Sequence, residues 1–226
     1  MAGRFITLEG GEGAGKSTQI DRLRRHLQKR GLRVLCTREP GGSERAELIR
    51  TSILGGEAQA YGPFAEALMF SAARHDHLER TIRPALASGT WVLCDRFADS
   101  TRAYQGAMGK IDQGTIAALE RLVVSSTRPD LTLILDVPAA LGLARASGRR
   151  HARGEAADRY ERENAAFHGR LRQAFLDIAK REPERCVIVD ASGEADLVEA
   201  AITRAVDERF FHHDLRQGLQ IVGEQV

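Results

Sequence analysis

Five short apolar runs constrain the fold of this chain more than any other feature. They are nearly continuous in hydrophobicity, which is typical of parallel strands that are buried on both faces. The stretches between them are long enough for the crossover helices that parallel strands require. The runs span residues 4–9, 33–37, 91–95, 131–137 and 186–191. The sequence therefore predicts an α/β fold in which helices cover both faces of a parallel sheet.

Helical periodicity is clearest over residues 158–180, where we predict a long helix that packs on the sheet. Its apolar face is formed by Phe167, Leu171, Phe175 and Ile178. The last stretch, residues 209–226, follows a final helix and has no clear place in the sheet. We therefore predict one domain over residues 1–208 and a C-terminal tail whose role the sequence does not indicate.

Length and composition favour one globular enzyme domain with a sizeable core. The chain has 226 residues, of which 42% are hydrophobic and 28% are charged. No apolar run approaches the roughly 18 residues that span a membrane. Met1 is not followed by a basic and then apolar leader, so we expect a cytoplasmic protein. A net charge of +2 does not indicate a nucleic-acid-binding surface. We therefore expect neither a membrane nor a nucleic acid as partner.

The three cysteines, Cys36, Cys94 and Cys186, each lie inside an apolar run that we predict to be a strand. Their odd number and their position in the core favour buried free thiols over disulfides or a metal site.

The segment "GGEGAGKST" carries the strongest motif of the chain. It matches G-x-x-x-x-G-K-[ST] between a predicted strand and a predicted helix, which is the context that a phosphate-binding P-loop requires. Lys16 is expected to reach the β- and γ-phosphates, and the Ser17 hydroxyl is expected to bind Mg²⁺. The alternative is a glycine-rich turn with a chance lysine. We predict that ATP is bound by Gly10, Gly11, Glu12, Gly13, Ala14, Gly15, Lys16, Ser17 and Thr18.

Two aspartates end apolar runs and are candidates to assist a metal ion. Asp95 and Asp136 both qualify, and each could instead accept hydrogen bonds from nearby backbone. A guanine-specific switch would need an N-K-x-D element after a later strand, which the sequence lacks. The P-loop alone leaves switches, motors and small-molecule kinases open.

The segment "LCDRFADSTRAYQG" (93–106) resembles the signature of the thymidylate kinase family, the enzymes that phosphorylate dTMP. Four further blocks are similar to that family in the right order: "FITLEGGEGAGKST", "TREPGGS", "LMFSAARHDHL" and "RPDLTLILDV". The resemblance runs from about residue 4 to about residue 205. It implies a P-loop NTPase fold with five parallel strands, a lid over the phosphates and a homodimer. It also implies transfer of the γ-phosphoryl group from ATP to dTMP with Mg²⁺, giving dTDP and ADP for dTTP synthesis.

The same resemblance implies a role for the acid in the P-loop. Glu12 would accept a hydrogen bond from the 3′-hydroxyl of the acceptor sugar; the alternative is an incidental, solvated carboxylate. The next residue is arginine in one branch of the family and Gly13 here. The cation would then come from a lid over residues about 145–158, as in the bacterial branch. The candidate lid arginines are Arg149, Arg150 and Arg153.

The positions that match the family also imply how the acceptor nucleotide is bound. Arg96 would hold the 5′-phosphate, because a planar guanidinium bonds two oxygens at once. Phe70 would stack on thymine, although a core position is the alternative, and Arg74 would donate to a thymine carbonyl. Other expected dTMP contacts are Glu12, Arg38, Glu39, Pro40, Ser100, Thr101, Tyr104 and Gln105.

Two rival functions are a kinase of this fold with another acceptor, such as a deoxynucleoside, and an NTP-driven switch.

Overall fold

The computed structural model describes residues 3–154 and 159–211. Five strands form one all-parallel sheet in the order β2-β3-β1-β4-β5. The strands are β1 (Phe5–Gly10), β2 (Val34–Arg38), β3 (Trp91–Asp95), β4 (Leu131–Asp136) and β5 (Cys186–Asp190). The predicted parallel sheet is therefore confirmed, with strand ends that differ from the predicted ends by about one residue.

Helices connect the strands and cover both faces of the sheet. They are α1 (Lys16–Lys29), α2 (Glu44–Gly55), α3 (Gly62–His77), α4 (Arg83–Ala87), α5 (Ala98–Thr101), α6 (Gln113–Val124), α7 (Ala139–Arg153), α8 (Ala165–Arg181) and α9 (Ala195–Phe210). A 3₁₀ turn (Glu57–Tyr61) precedes α3, and π-helical segments follow α3 (Leu78–Ile82) and α5 (Arg102–Met108). Within the described residues, no helix is both long and apolar enough to cross a bilayer.

The sheet separates the hydrophobic core into clusters on its two faces. One cluster packs α1 and α9 on β1, β3 and β4, through side chains such as Leu23, Ile202 and Leu133. Two clusters on the other face pack the α3–α4 region and α8 on β3 and β4; Leu171, Phe175 and Ile178 of α8 are buried there as predicted, and Phe167 packs beside them. Burial of both faces explains why the strand sequences are almost continuously apolar.

The long helix begins later than its periodicity indicated. α8 starts at Ala165, where the Asn164 side chain accepts a hydrogen bond from the Phe167 amide over 2.9 Å. This cap fixes the start of the helix, so the predicted start at 158 was wrong. Residue 158 itself lies outside the described residues.

The cysteine prediction was wrong for Cys36, which is exposed, whereas Cys94 and Cys186 are buried; all three are free thiols. Cys36 lies on β2, an edge strand on which no residue is buried, and an apolar run alone does not show how well a strand is covered.

The C-terminal helix continues past residue 208. α9 ends at Phe210, and the ring of Phe211 stacks on Trp91 with centroids 5.6 Å apart. The boundary between domain and tail stays a prediction, and residues 212–226 lie outside the part that the structure describes.

Candidate active site

The P-loop joins β1 to α1 at the centre of the sheet. Gly10, Gly13 and Gly15 have φ angles of 135°, 66° and 86°, which L side chains rarely adopt. The ammonium of Lys16 donates to the carbonyl oxygens of Gly10 (3.2 Å) and Gly11 (3.0 Å). Burial, followed by the charge of Arg96, lowers the pKa of Lys16. The loop therefore has the backbone shape and the buried cation that a polyphosphate requires.

Gly13 is fixed by a neighbour as well as by its φ angle. A Cβ atom at Gly13 would overlap the carbonyl oxygen of Gly142 in α7, and a Cβ atom at Gly142 would overlap the carbonyl oxygen of Glu12. The backbone of the loop therefore lies directly against α7. Residue 13 therefore has no space for a side chain such as that of arginine.

The structure separates the two candidate aspartates. The Ser17 hydroxyl donates to Asp95 Oδ2 over 2.8 Å, which brings two oxygen donors together beside the P-loop. Asp136 instead accepts two hydrogen bonds from Arg172, at 2.6 and 2.8 Å. Only Asp95 of this pair lines the main cleft.

Arg96 connects the segment after β3 to the P-loop. Its φ angle of 68° is left-handed, which is uncommon for a residue with a side chain. Its guanidinium donates to the Gly10 carbonyl oxygen (3.0 Å) and to Glu12 Oε1 (2.6 Å). Tyr104 also donates to Glu12, over 3.3 Å. The carboxylate of Glu12 therefore points toward Arg96 and Tyr104.

The electrostatics of Glu12 follow from these contacts. Burial raises its pKa, but the charges of Arg96 and then Lys16 outweigh burial and lower the pKa to about 2. Glu12 is consequently ionised at neutral pH and is held in place by its hydrogen bonds from Arg96 and Tyr104.

Glu9 is a buried carboxyl group that the sequence analysis did not single out. It accepts hydrogen bonds from the Phe97 amide (2.8 Å), the Ser100 amide (3.2 Å) and the Ser100 hydroxyl (2.7 Å). These donors lie at the start of α5, whose N-cap residue, Phe97, has no side-chain acceptor. Burial, followed by repulsion from Asp99, raises the pKa of Glu9 to about 7.

Arg74 is almost completely buried beside Glu39. Its Nε donates to Glu39 Oε2 over 2.7 Å, and its Nη2 donates to the Phe97 carbonyl oxygen and to Thr101 Oγ1, each over 3.1 Å. The peptide bond between Glu39 and Pro40 is cis. Arg74 therefore links β2, α3 and α5 on one side of the cleft.

One cleft of about 380 Å³ brings most of the predicted site residues together. The predicted residues that line it are Glu12, Gly13, Ala14, Gly15, Lys16, Ser17, Thr18, Arg38, Glu39, Pro40, Phe70, Arg74, Asp95, Arg96, Ser100, Thr101, Tyr104, Gln105 and Arg149. Gly10 and Gly11 do not line it, although their carbonyl oxygens contact Lys16. Phe70 is only half-buried and faces the cleft, which favours the stacking hypothesis over a core role.

Much of the predicted lid is helical. Arg149, on α7, lines the cleft and lies 3.8 Å from Glu161 Oε1, whereas Arg150 bonds the same carboxylate over 2.7 Å and does not line the cleft. The side chain of Arg153 and residues 155–158 lie outside what the structure describes. Arg145 is anchored to the carbonyl oxygens of residues 191–193, at the end of β5. Of the described lid arginines, Arg149 is therefore the best placed to meet a ligand.

The cleft also includes residues that the sequence analysis missed: Arg50, Leu54, Phe97, Tyr160 and Glu161. Tyr160 accepts a hydrogen bond from Gln105 over 2.9 Å, and its ring meets that of Tyr104 edge to face at 4.8 Å. Arg50 donates to the Pro40 carbonyl oxygen over 2.6 Å. Each is brought to the cleft by tertiary contacts, for which the local sequence carries no signal.

Comparisons with known proteins all point to one family. A family model described as thymidylate kinase matches residues 8–202. The thymidylate kinase of Caulobacter vibrioides is 57% identical over 207 residues, covering 92% of this chain and 97% of that protein. The thymidylate kinase of Nitrobacter hamburgensis is 52% identical over 209 residues, covering 92% of this chain and 90% of that protein.

A solved structure has the same architecture. The thymidylate kinase of Ehrlichia chaffeensis superposes with a TM-score of 0.71 at 32% sequence identity. The match covers 91% of this chain and 99% of that one. The likeness therefore extends over nearly the whole described fold.

Proposed function

We infer that this chain, which belongs to the thymidylate kinase family, is a nucleoside monophosphate kinase that phosphorylates dTMP in nucleotide synthesis. An oxygen of the dTMP phosphate attacks the γ-phosphorus of ATP, the bond from that phosphorus to the β-phosphate oxygen breaks, and dTDP and ADP leave. The single observation that carries the proposal is that one cleft contains both the P-loop and the side chains of Arg74 and Arg96.

We propose that three cations neutralise the transferring group. Lys16 lies under the P-loop, Arg96 lies between the loop and α5, and Arg149 faces the cleft from α7. Phosphoryl transfer spreads negative charge over the equatorial oxygens, so fixed cations around them lower the barrier. Arg96, held by Glu12, is the residue that binds the acceptor phosphate.

The residues that would hold Mg²⁺ are Ser17 and Asp95. Both supply oxygen atoms, which Mg²⁺ prefers, and they already share a hydrogen bond beside the P-loop. When bound, the ion neutralises charge on the β- and γ-phosphates. Within the described residues no group of three or more His, Cys, Asp or Glu could hold a metal alone, which fits an ion that takes its other ligands from phosphate and water.

We propose that the chain forms a homodimer through α2, α3 and α6. Helix α3 packs against both other helices. The large apolar side chains exposed on these three helices are Leu48, Phe64, Leu68 and Leu122. Exposed apolar groups of this kind mark association surfaces. Sedimentation of the wild type and of Leu68→Glu tests this, since the variant should be monomeric.

The cytoplasmic location stays a prediction from the sequence.

The reaction is tested by measuring ADP release from ATP with and without dTMP, and by comparing kcat/KM for dTMP, dUMP, dCMP and UMP. We expect ADP release to require the acceptor, because a kinase protects ATP from water. We expect dTMP to exceed dUMP and both to exceed dCMP, because Arg74 can only donate hydrogen bonds and leaves the cytosine amino group unpaired. UMP should be poorer than dUMP, because the family resemblance implies that Tyr104 packs against the acceptor sugar, where an added 2′-hydroxyl would meet its ring. ADP release independent of dTMP would instead favour a switch.

A further inference from the structure

A buried chain of hydrogen bonds lies behind Arg74 and begins on the edge strand. Thr37 Oγ1 of β2 lies 2.7 Å from Nε2 of His77, the last residue of α3. His77 Nδ1 lies 3.1 Å from Glu39 Oε1. The other oxygen of Glu39 accepts from Arg74 Nε over 2.7 Å. The chain therefore runs from Thr37 through His77 and Glu39 to Arg74.

The donors and acceptors of this chain are fixed by elementary chemistry. A carboxylate can only accept, so His77 Nδ1 carries the proton that is donated to Glu39. His77 is fully buried, and Glu39 and Arg74 are each about 5% exposed or less. Polar groups buried this deeply are costly when unpaired, so each member depends on the next.

The hydrogen bonds of Arg74 leave one N–H pair of its guanidinium, at Nη1, for a ligand. Its Nε donates to Glu39, and its Nη2 donates to two acceptors, the Phe97 carbonyl oxygen and Thr101. Among the described residues, none accepts a hydrogen bond from Nη1, and Arg74 lines the cleft. The direction of this remaining N–H pair is therefore set by Glu39 together with the Phe97 carbonyl oxygen and Thr101, and Glu39 is the only one of the three that bonds Nε.

His77 has no room to change its position. A Cβ atom added at Gly42 would overlap the His77 ring, so the turn after β2 lies directly against the imidazole. Thr81 Oγ1 donates to the Gly42 carbonyl oxygen over 2.8 Å and holds that turn. Without the imidazole, one oxygen of Glu39 would lose its donor, and the carboxylate could rotate away from Arg74 Nε.

We propose that His77 is a positioning residue for base selection: through Glu39 it fixes the N–H pair of Arg74 that distinguishes a carbonyl from an amino group on the pyrimidine ring. The inference rests on the proposed function, because it takes the acceptor to be a nucleoside monophosphate read by Arg74. His77 itself does not line the cleft. Its effect is therefore expected on selectivity rather than on ATP binding.

The test measures the ratio of kcat/KM for dTMP to kcat/KM for dCMP in His77→Leu, His77→Asn and Thr37→Val. We expect the ratio to fall at least about tenfold in His77→Leu, in line with the loss of one buried hydrogen-bond partner, while the KM for ATP changes little. His77→Asn places an amide N–H near the position of Nδ1 and should recover part of the ratio. The matched control is His75→Leu, which alters an exposed histidine of the same helix.

A merely structural role for His77 would lower activity toward all monophosphates together and leave the ratio unchanged; that result in His77→Leu would overturn the inference. If His77→Leu does not fold, the same ratio in Thr37→Val decides: it should fall, because Nε2 of His77 loses its partner, and a wild-type ratio there overturns the inference. Arg74→Gln separates the two proposals. A wild-type ratio there removes Arg74 from base reading, whereas a changed ratio there with an unchanged one in His77→Leu removes His77 alone.

Discussion

Arg96 donates to Glu12 over 2.6 Å, which joins the proposed acceptor-phosphate cation to the ATP-binding loop by one short ion pair. The pair is mostly buried, with about 16% and 15% of the two side chains exposed. A P-loop that shifted on binding ATP would therefore also shift the group that binds the second substrate. The carboxylate in the middle of a phosphate-binding loop thus has a partner on the acceptor side.

Replacement of Glu12 by alanine should impair dTMP turnover far more than ATP binding. Loss of a hydrogen bond to a charged group costs about 1.5–3 kcal/mol, which corresponds to a decrease in kcat/KM for dTMP of roughly 10- to 150-fold. Steady-state kinetics and ATP titration measure the two effects. Glu184→Ala, at an exposed position, is the control. Weakened ATP binding with normal dTMP kinetics would contradict the assignment.

Replacement of Arg149 by alanine should lower kcat strongly, by roughly 10³ if it acts like an arginine finger, with little change in dTMP affinity. Arg150→Ala should have a smaller effect, because Arg150 bonds Glu161 and lies outside the cleft. Arg204→Ala on α9 provides a control at an exposed arginine. Near-normal kcat in Arg149→Ala would exclude it as the lid cation and direct attention to Arg153.

Replacement of Asp95 by asparagine should raise the Mg²⁺ concentration needed for half-maximal activity by about 10- to 100-fold, because Asp95 holds the Ser17 hydroxyl. Asp136→Asn, which removes the partner of Arg172, should leave that concentration unchanged. Activity is measured over a Mg²⁺ titration at saturating substrates. Equal shifts in the two variants would disprove the metal role of Asp95.

Glu9 should make stability depend on pH in a direction opposite to that of most carboxylates. Its native pKa of about 7 lies above the usual 4.5, so the native state binds this proton more tightly than the unfolded chain. The free energy of unfolding therefore falls as pH rises from 4.5 to about 7. Glu9→Gln should remove this decrease in the free energy of unfolding, because glutamine does not titrate.

Urea unfolding of the wild type and Glu9→Gln at about pH 5 and pH 8 measures this effect. The stability of the variant relative to the wild type should increase by about 1–3 kcal/mol between these pH values. Because the two proteins differ only at residue 9, the pH dependence of their difference reports Glu9 together with its interaction with Asp99. A difference that is constant with pH would show that the carboxyl group is ionised throughout. Glu184→Gln, the same substitution at an exposed position, is the matched control.

The sheet and the P-loop could be predicted because each is encoded by a local pattern. Strands buried on both faces are apolar without interruption, and the loop's glycines and lysine stand at fixed spacing. The helix start at Ala165 could not be placed, because one Asn164 side chain decides it. The exposure of Cys36 depends on how the edge strand β2 is covered by its neighbours, which an apolar run does not reveal.

The site was predicted where the family resemblance named a matching motif and missed where tertiary packing supplies the residue. Tyr160 meets Gln105 across 55 positions of the chain, and His77 meets Thr37 across 40. Neither pairing has a spacing that a single sequence reveals. Glu9 lies within a predicted apolar strand, and the sequence does not reveal its role because its hydrogen-bond donors lie on a segment about 90 residues away.

The contact between Gly13 and Gly142 makes two distant positions interdependent in protein engineering. A loop arginine could not be introduced at residue 13 alone, because the carbonyl of α7 occupies the space that its Cβ needs. Moving the proposed transferring-group cation from the lid to the loop would require that α7 first be displaced. The close approach of these two backbones therefore prevents the loop from supplying that cation in this chain.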